Sequence, residues 1–439
     1  MKRIYLDYAA TGPVSAPVKK AMEPYISGIF GNPRSLHSFG REAEGALDKA
    51  REIISKEVGI GFHNVVFTGS ATEANNLAFR GVVARAKKNL FGTGNLSAPA
   101  ADSSLGSRAS DSSVKNRRDQ ARQHSETFLK DIFSPLKIVI SAIEHNSVFE
   151  TAKMLEKEGV EVVCVPVDEK GFVNLEILKK ELDERTVLVS IIHGNNEIGT
   201  IQPIEKISEI IKRFRGKNEY PLLHTDAVQS FQFLECNMGH LGVDLMTLSA
   251  HKMYGPKGVG ALCVKNEKIL APIITGGGQE FGLRSGTQNV GGIAGFARAL
   301  EIASKKRVSE KKRIQNLKRF FLSGLKKIYS GTKINGVEGE NSLPHVLNVC
   351  FCGRSAEELL VRFDLSGIAV SAGSACGARG HKPSRIIQAL GNDPERERGS
   401  IRFSFGAGTS FVELKDALRR IEKILKQVFP MSDVGKLGV

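Results

Sequence analysis

The chain has 439 residues, 41% apolar and 25% charged, with 62 basic against 47 acidic side chains and a net charge of +15. That length allows two or three domains of roughly 150 residues, and the composition excludes a disordered or fibrous protein. No apolar run reaches the roughly 18 residues of a membrane span, and Met1-Lys2-Arg3 leads to Asp7 without the apolar core of a secretory signal.

In chain order, short β-branched runs at 65–68, 137–141, 160–165, 187–192, 222–225, 245–249 and 260–264 alternate with helical stretches. Continuous apolar strands separated by helices predict an α/β fold, with a mainly parallel seven-stranded sheet between helices. Residues 92–126 interrupt this pattern with eight Ser and three Gly, five basic and four acidic side chains. So little apolar surface cannot offset ordering entropy, and a disordered insertion is expected there. Over 304–328, ten Lys or Arg accompany one acid, Glu310, while Ile314, Leu317, Phe321, Leu325 and Ile328 recur at helical spacing. The cationic outer face of that helix is either solvated or a dock for an acidic partner or RNA. No RNA-binding motif accompanies it, so direct nucleic-acid binding is not expected. Strand-like runs at 345–351, 367–371 and 400–405 and a closing helix over 412–428 indicate a smaller α+β unit. The expected division is a large domain over 16–295, containing the insertion, and a small domain of 1–15 with 296–439.

Several strand ends carry residues suited to chemistry. Ser249-Ala250-His251-Lys252 follows a buried strand and precedes Gly255-Pro256-Lys257-Gly258. A lysine confined there suits a Schiff-base nucleophile, the alternative being a snorkelling lysine at a turn. Asp226, at the end of another apolar strand, either caps a helix or pairs with a pyridinium nitrogen where open α/β sheets bind ligands. Phe67-Thr68-Gly69-Ser70-Ala71-Thr72-Glu73-Ala74-Asn75 enters a helix through small residues, a natural phosphate cradle or a plain capped start. His145 follows the strand at 137–141, either to lie on an aromatic ring and exchange protons or to serve structurally. The glycine-rich stretches around Gly255 and Gly276 reproduce neither the dinucleotide fingerprint nor a P-loop, which weakens NAD and ATP readings.

Six cysteines in so long a chain do not form a disulfide framework, which points to a reducing, cytoplasmic location. Cys376 lies in a small-residue stretch with Arg379 and His381 nearby, a setting that favours thiolate. Cys164 and Cys263, flanked by valine or leucine on strands, are expected to be buried and structural. Cys350 and Cys352 share one strand face near His345 with an incomplete metal-ligand set, so no metal is expected.

Together these motifs resemble the cysteine desulfurases, pyridoxal-phosphate enzymes of the class V aminotransferase group. The resemblance runs through Tyr5-Leu6-Asp7-Tyr8-Ala9-Ala10-Thr11, Gly31-Asn32-Pro33-Arg34-Ser35, Ala71-Thr72-Glu73, Glu144-His145 and Asn195-Asn196-Glu197. It continues through Asp226-Ala227-Val228-Gln229, Ser249–Lys252, Arg284-Ser285-Gly286-Thr287, Ser374-Ala375-Cys376 and Ile401-Arg402-Phe403-Ser404. It implies pyridoxal-phosphate fold type I and a homodimer that converts L-cysteine to L-alanine, leaving the sulfur as a persulfide on Cys376. By resemblance Lys252 would hold pyridoxal 5'-phosphate, Asp226 would pair with its ring nitrogen, His145 would stack on the ring and Gln229 would bond its phenolic oxygen. Ala71, Thr72, Ser249 and His251 would hold the phosphate, with Thr287 supplied by the partner subunit. Asn196 and Arg402 would orient the substrate carboxylate. The acceptor of the sulfur would be an iron–sulfur scaffold protein or a tRNA-thiolation relay. Rival readings are a selenocysteine lyase, a class V aminotransferase, which has no need of Cys376, or a silent docking subunit, which has no need of Lys252.

Overall fold

The structure is a computed structural model, and it describes residues 2–91, 135–373, 384–391 and 393–427. The insertion at 92–126 and Cys376 both lie outside the described residues. In chain order the strands are β1 (Ile4–Tyr5), β2 (Val65–Thr68), β3 (Lys137–Ser141), β4 (Glu161–Val165), β5 (Thr186–Ser190), β6 (Leu222–Asp226), β7 (Leu245–Ser249), β8 (Gly260–Val264), β9 (Thr332–Asn335), β10 (Val346–Phe351), β11 (Ile368–Ala369) and β12 (Ser400–Ser404).

Seven of these form one sheet in the order β2-β8-β7-β6-β5-β3-β4. Only β8 runs against its neighbours, and the other pairings are parallel. Successive strand residues point to opposite faces, and both faces are covered. On one side Val139, Val189, Leu223 and Met246 pack with Ile54, Phe296 and Leu300 from the helices Ser38–Val58 and Val290–Ile328. On the other, Ile138, Ile140, Leu188 and Leu245 pack with Leu77, Phe79 and Leu155 from Ala71–Phe91 and Asn146–Lys157. Full burial of the central strands explains why their sequences read as unbroken apolar runs. The edge strand β4 is an exception, since one side of it faces solvent. Cys164 is exposed there, which corrects the expectation of a buried thiol, whereas Cys263 on β8 is fully buried.

A second core gathers Ile4, Leu6, Ile314, Leu317, Phe321, Leu325, Leu347, Val349, Phe351, Ile401, Phe403 and Ile421. Its antiparallel sheet has the order β12-β10-β9, and the N-terminal β1 pairs with β11. The basic stretch is the second half of the helix Val290–Ile328, which contributes side chains to both cores. None of the described helices is long and apolar enough to cross a membrane.

Candidate active site

Strands β3, β5, β6 and β7 are parallel, so their C-terminal ends lie along one edge of the sheet. β8 returns between β7 and β2, with Gly260 opposite both Ser249 and Thr68, and this sets the β2 exit on the same edge. Ligands of open α/β sheets bind at that edge, and a cavity of about 400 Å³ opens there. A Cβ on Gly260 would sit 2.7 Å from the carbonyl carbon of Ser70, so only glycine lets β8 pass this close to the start of the helix Ala71–Phe91.

Each wall of the cavity is built from a strand exit. After β7, the Lys252 Nζ donates to the carbonyls of Ala9 and Ala10 at 2.7 and 2.6 Å. At the end of β6, Asp226 Oδ2 accepts from Asn75 Nδ2 at 3.0 Å and Oδ1 from the Val228 N–H at 3.0 Å. Asp226 thus closes a turn and receives an amide donor instead of capping a helix. After β3, His145 caps Asn146–Lys157, its Nδ1 accepting from the Ser147 N–H at 3.1 Å. The Ser147 hydroxyl lies 2.8 Å from the same nitrogen and accepts from Asn75 at 2.8 Å. With Nδ1 acting as acceptor, the ring proton sits on Nε2. Burial, reinforced by the charges of Lys252, Arg385 and Arg402, holds the His145 pKa below the usual imidazole range despite Asp226, so the ring is neutral. His251 faces the Thr11 hydroxyl at 3.2 Å, and burial chiefly lowers its pKa to about 4.

The second core supplies the opposite wall. Arg402, on β12, is buried beneath the cavity, its Nη1 donating to Asn196 O at 3.0 Å and its Nη2 paired with Asp7 Oδ1 at 2.8 Å. The chain that enters the 374–383 segment pairs with Arg402 through Ser371, donating and accepting at 3.2 and 2.7 Å. On the far side Ser384 Oγ donates to Glu197 Oε2 at 2.5 Å, and a Cβ on Gly373 would lie 3.3 Å from that same oxygen. Both flanks of the segment that carries Cys376 therefore meet one residue from Asn196.

The class-V aminotransferase profile matches residues 4–92 and 130–416. The chain is 38% identical over 443 residues to a cysteine desulfurase IscS of Dictyoglomus turgidum, covering 100% of this chain and 99% of that one. The chain belongs to the cysteine desulfurase family of the class-V aminotransferases. Among solved structures, one called NifS-like protein superposes with a TM-score of 0.80 at 34% identity over 97% of this chain and 100% of its own. SspA in complex with cysteine superposes with a TM-score of 0.68 at 30% identity, covering 91% of this chain and 98% of its own.

The cofactor of this family is pyridoxal phosphate, and the cavity fits it. Asn196 Oδ1 and Arg402 Nε belong to cavity-lining residues and are buried without a partner among the described residues, as expected of groups that await a ligand. The buried carboxylate of Asp226 lines the cavity. So do Ala71 and Thr72, whose N–H groups open a helix where the Ser70 hydroxyl accepts from Glu73 at 3.1 Å. Ala71, Thr72, His145, Asn196, Asp226, Gln229, Ser249, His251, Lys252 and Arg402 all line this one cavity. Thr287 does not. It is exposed and lines a separate depression with Ile26 and Phe30, three residues from Arg284, whose Nε donates to Glu73 at 2.6 Å. Asn75, Ser147 and Lys257 were not singled out by the sequence. Asn75 ends the small-residue motif that enters its helix and Lys257 lies in the glycine-rich turn after Lys252, whereas Ser147 belongs to neither motif. Cys350 and Cys352 lie 3.4 Å apart, sulfur to sulfur, and no group of three or more His, Cys, Asp or Glu side chains placed to hold a metal occurs among the described residues.

Proposed function

We propose that Lys252 is the residue that anchors pyridoxal phosphate and moves the substrate Cα proton, with L-cysteine as substrate and L-alanine as product. The observation that carries this reading is the convergence of Lys252, Asp226, His145 and the helix start at Ala71 and Thr72 on one cavity. The bound cofactor supplies an electron sink for bonds broken next to the substrate Cα. Asp226 keeps the ring nitrogen protonated, and its acceptor oxygens are already aligned by Asn75 and Val228. Ala71, Thr72, Ser249 and His251 take the phosphate. Gln229 donates to the phenolic oxygen. His145 packs on the ring as a neutral group that offers a proton from Nε2. The guanidinium of Arg402 and the amide of Asn196 receive the substrate carboxylate.

Cys376 accepts the sulfur. Its thiolate attacks the substrate sulfur, the carbon–sulfur bond breaks as a sulfur–sulfur bond forms, and a proton returns to the carbon that becomes the alanine methyl. Cysteine plus enzyme thiol gives alanine plus enzyme persulfide, with atoms and electrons balanced. The position of Gly373 and Ser384 beside Glu197 supports this role, because these two described residues flank 374–383 and lie next to the neighbour of Asn196.

The persulfide passes to an acceptor protein, either an iron–sulfur scaffold or a thiolation relay, in the cytoplasm. A homodimer covers Ile26, Phe30, Leu36 and Phe39, exposed by 73, 71, 90 and 50%, and brings Thr287 to the partner's phosphate. A division into a large domain at 16–295 and a small one at 1–15 with 296–439 is supported by the presence of two cores, although Phe296, Leu300 and Ala303 of the helix Val290–Ile328 still pack in the first. The test is direct. Purified protein loaded with pyridoxal phosphate should be yellow, release equimolar alanine and sulfide from L-cysteine with a thiol reductant, and gain one sulfur atom on Cys376 without it. Alanine formed with no sulfur on Cys376 would overturn the assignment.

A further inference from the structure

Gln229 lines the cavity, and both ends of its side-chain amide are engaged. Its Nε2 donates to the Ala9 carbonyl at 2.8 Å, and its Oε1 lies 2.8 Å from Nε2 of His345. A carbonyl oxygen cannot donate, so the end that faces Ala9 must be the NH2 group, and the end that faces His345 must be the oxygen. His345 must then carry its proton on Nε2. Its Nδ1 is buried with no partner among the described residues, which is tolerable for a lone pair and costly for an N–H. Burial, with the positive charges of Lys318, Arg402 and Lys252 acting in the same direction, lowers the His345 pKa to about 3, so the ring is neutral. The ring is stacked on Phe233 at 4.6 Å and 25°, and this packing fixes the direction in which Nε2 points.

We propose that His345 is a positioning residue: by donating to Gln229 Oε1 it locks the Gln229 amide with its NH2 group toward the cavity. One N–H of that group is used by Ala9, and the second is left to donate to the anionic ring oxygen of pyridoxal phosphate. Were the amide to turn over, an oxygen would face that anion instead. The inference rests on the assignment of Gln229 made above. It adds that the amide's direction is set from the second core, by a side chain that touches neither cofactor nor substrate.

Two replacements separate the hydrogen bond from the packing. His345→Phe keeps a ring on Phe233 and removes the donor, whereas His345→Gln restores an N–H at a similar reach. The readout is the pH at which the absorbance of the bound cofactor titrates, together with cofactor affinity. Loss of a donor to one buried acceptor is expected to raise the midpoint by about one pH unit and weaken cofactor binding about tenfold. His345→Gln should return both to within about threefold of wild type. In a Gln229→Leu background His345→Phe should add nothing, because the only route of action has been removed. Wild-type titration in His345→Phe, equal shifts in the Phe and Gln variants, or additivity on Gln229→Leu would each overturn the proposal. Should the Phe variant fail to fold, the tautomer decides. Nitrogen-15 histidine spectra of the wild-type holoenzyme, with His345 identified by its loss in His345→Gln, must show the proton on Nε2, and a proton on Nδ1 refutes it. Failure of the wild-type enzyme to bind cofactor or release alanine would refute the functional assignment instead, and the tautomer measurement would stand apart from it.

Discussion

Replacing Arg402 by lysine keeps the charge and removes the fork. In the structure the guanidinium spends one N–H on Asn196 O and one on Asp7, and its Nε has no partner among the described residues. A lysine ammonium could satisfy Asp7 or a substrate carboxylate, but it cannot bridge both from one plane. The side chain is only 2% exposed and Asp7 16%, so solvent screens these contacts little. Loss of one hydrogen bond to a charged group costs about 1.5–3 kcal/mol. At about 1.4 kcal/mol per factor of ten, that is roughly a tenfold to hundredfold loss. The carboxylate is bound equally in the ground state and the transition state, so the loss should appear as a raised KM for L-cysteine with kcat nearly kept. The assay is alanine release against cysteine concentration, with thermal melting to establish that β12 still packs. A variant that melts normally and loses kcat at unchanged KM would show that Arg402 does not hold the carboxylate.

Three further outcomes are expected. Lys252→Ala should abolish turnover and the covalent attachment of the cofactor, yet cost only about 1 kcal/mol of stability, because the carbonyls of Ala9 and Ala10 line a cavity open to water; a variant that still kept the wild-type absorbance, with the cofactor fixed to a lysine by borohydride reduction, would exclude Lys252 as the anchor. Cys376→Ser should keep cofactor and cysteine binding but form no persulfide, since a hydroxyl stays protonated near neutral pH; mass spectrometry that finds the extra sulfur on Cys350 or Cys352 instead would move the assignment. Stability should fall on acidification from about pH 6.5 to 4. Burial lowers His193 and His251 to about 4 and His224 and His345 to about 3, so the unfolded chain takes up protons there that the folded one refuses. Glu144, which burial raises to about 8, works in the opposite direction with one proton against four. A melting temperature that holds or rises across that interval would show that these rings are not neutral in the folded protein.

How far the sequence could be read depends on whether a property is local or is set by a distant partner. The central strands were legible because burial on both faces leaves a mark within five residues, and the strand exits were legible because chemistry-bearing residues follow those marks directly. Exposure of Cys164 was not legible, since nothing in Val162–Val165 states that β4 is the edge of the sheet among the described residues. The short strand β9 escaped notice because its partly exposed side chains give no apolar run. The same limit divides the site itself. Lys252, Asp226, His145 and Thr72 belong to motifs and follow strand exits. The groups that orient such residues come from far away in the chain: Asp7 reaches Arg402 across 395 residues, Asn75 reaches Asp226 across 151, and His345 reaches Gln229 across 116. Such partners leave no local periodicity, because each is brought to its target only by the folded chain: Asn75 meets Asp226 within the large unit, Asp7 meets Arg402 within the small one, and His345 meets Gln229 between the two. A buried donor or acceptor must be satisfied by whatever the opposing surface presents. The cavity is built mostly from strand exits of the large sheet, with Ala9, Ala10, Thr11 and Arg402 added from the other unit. Its motif residues can be found by reading along the chain, and the residues that aim them only by reading across it.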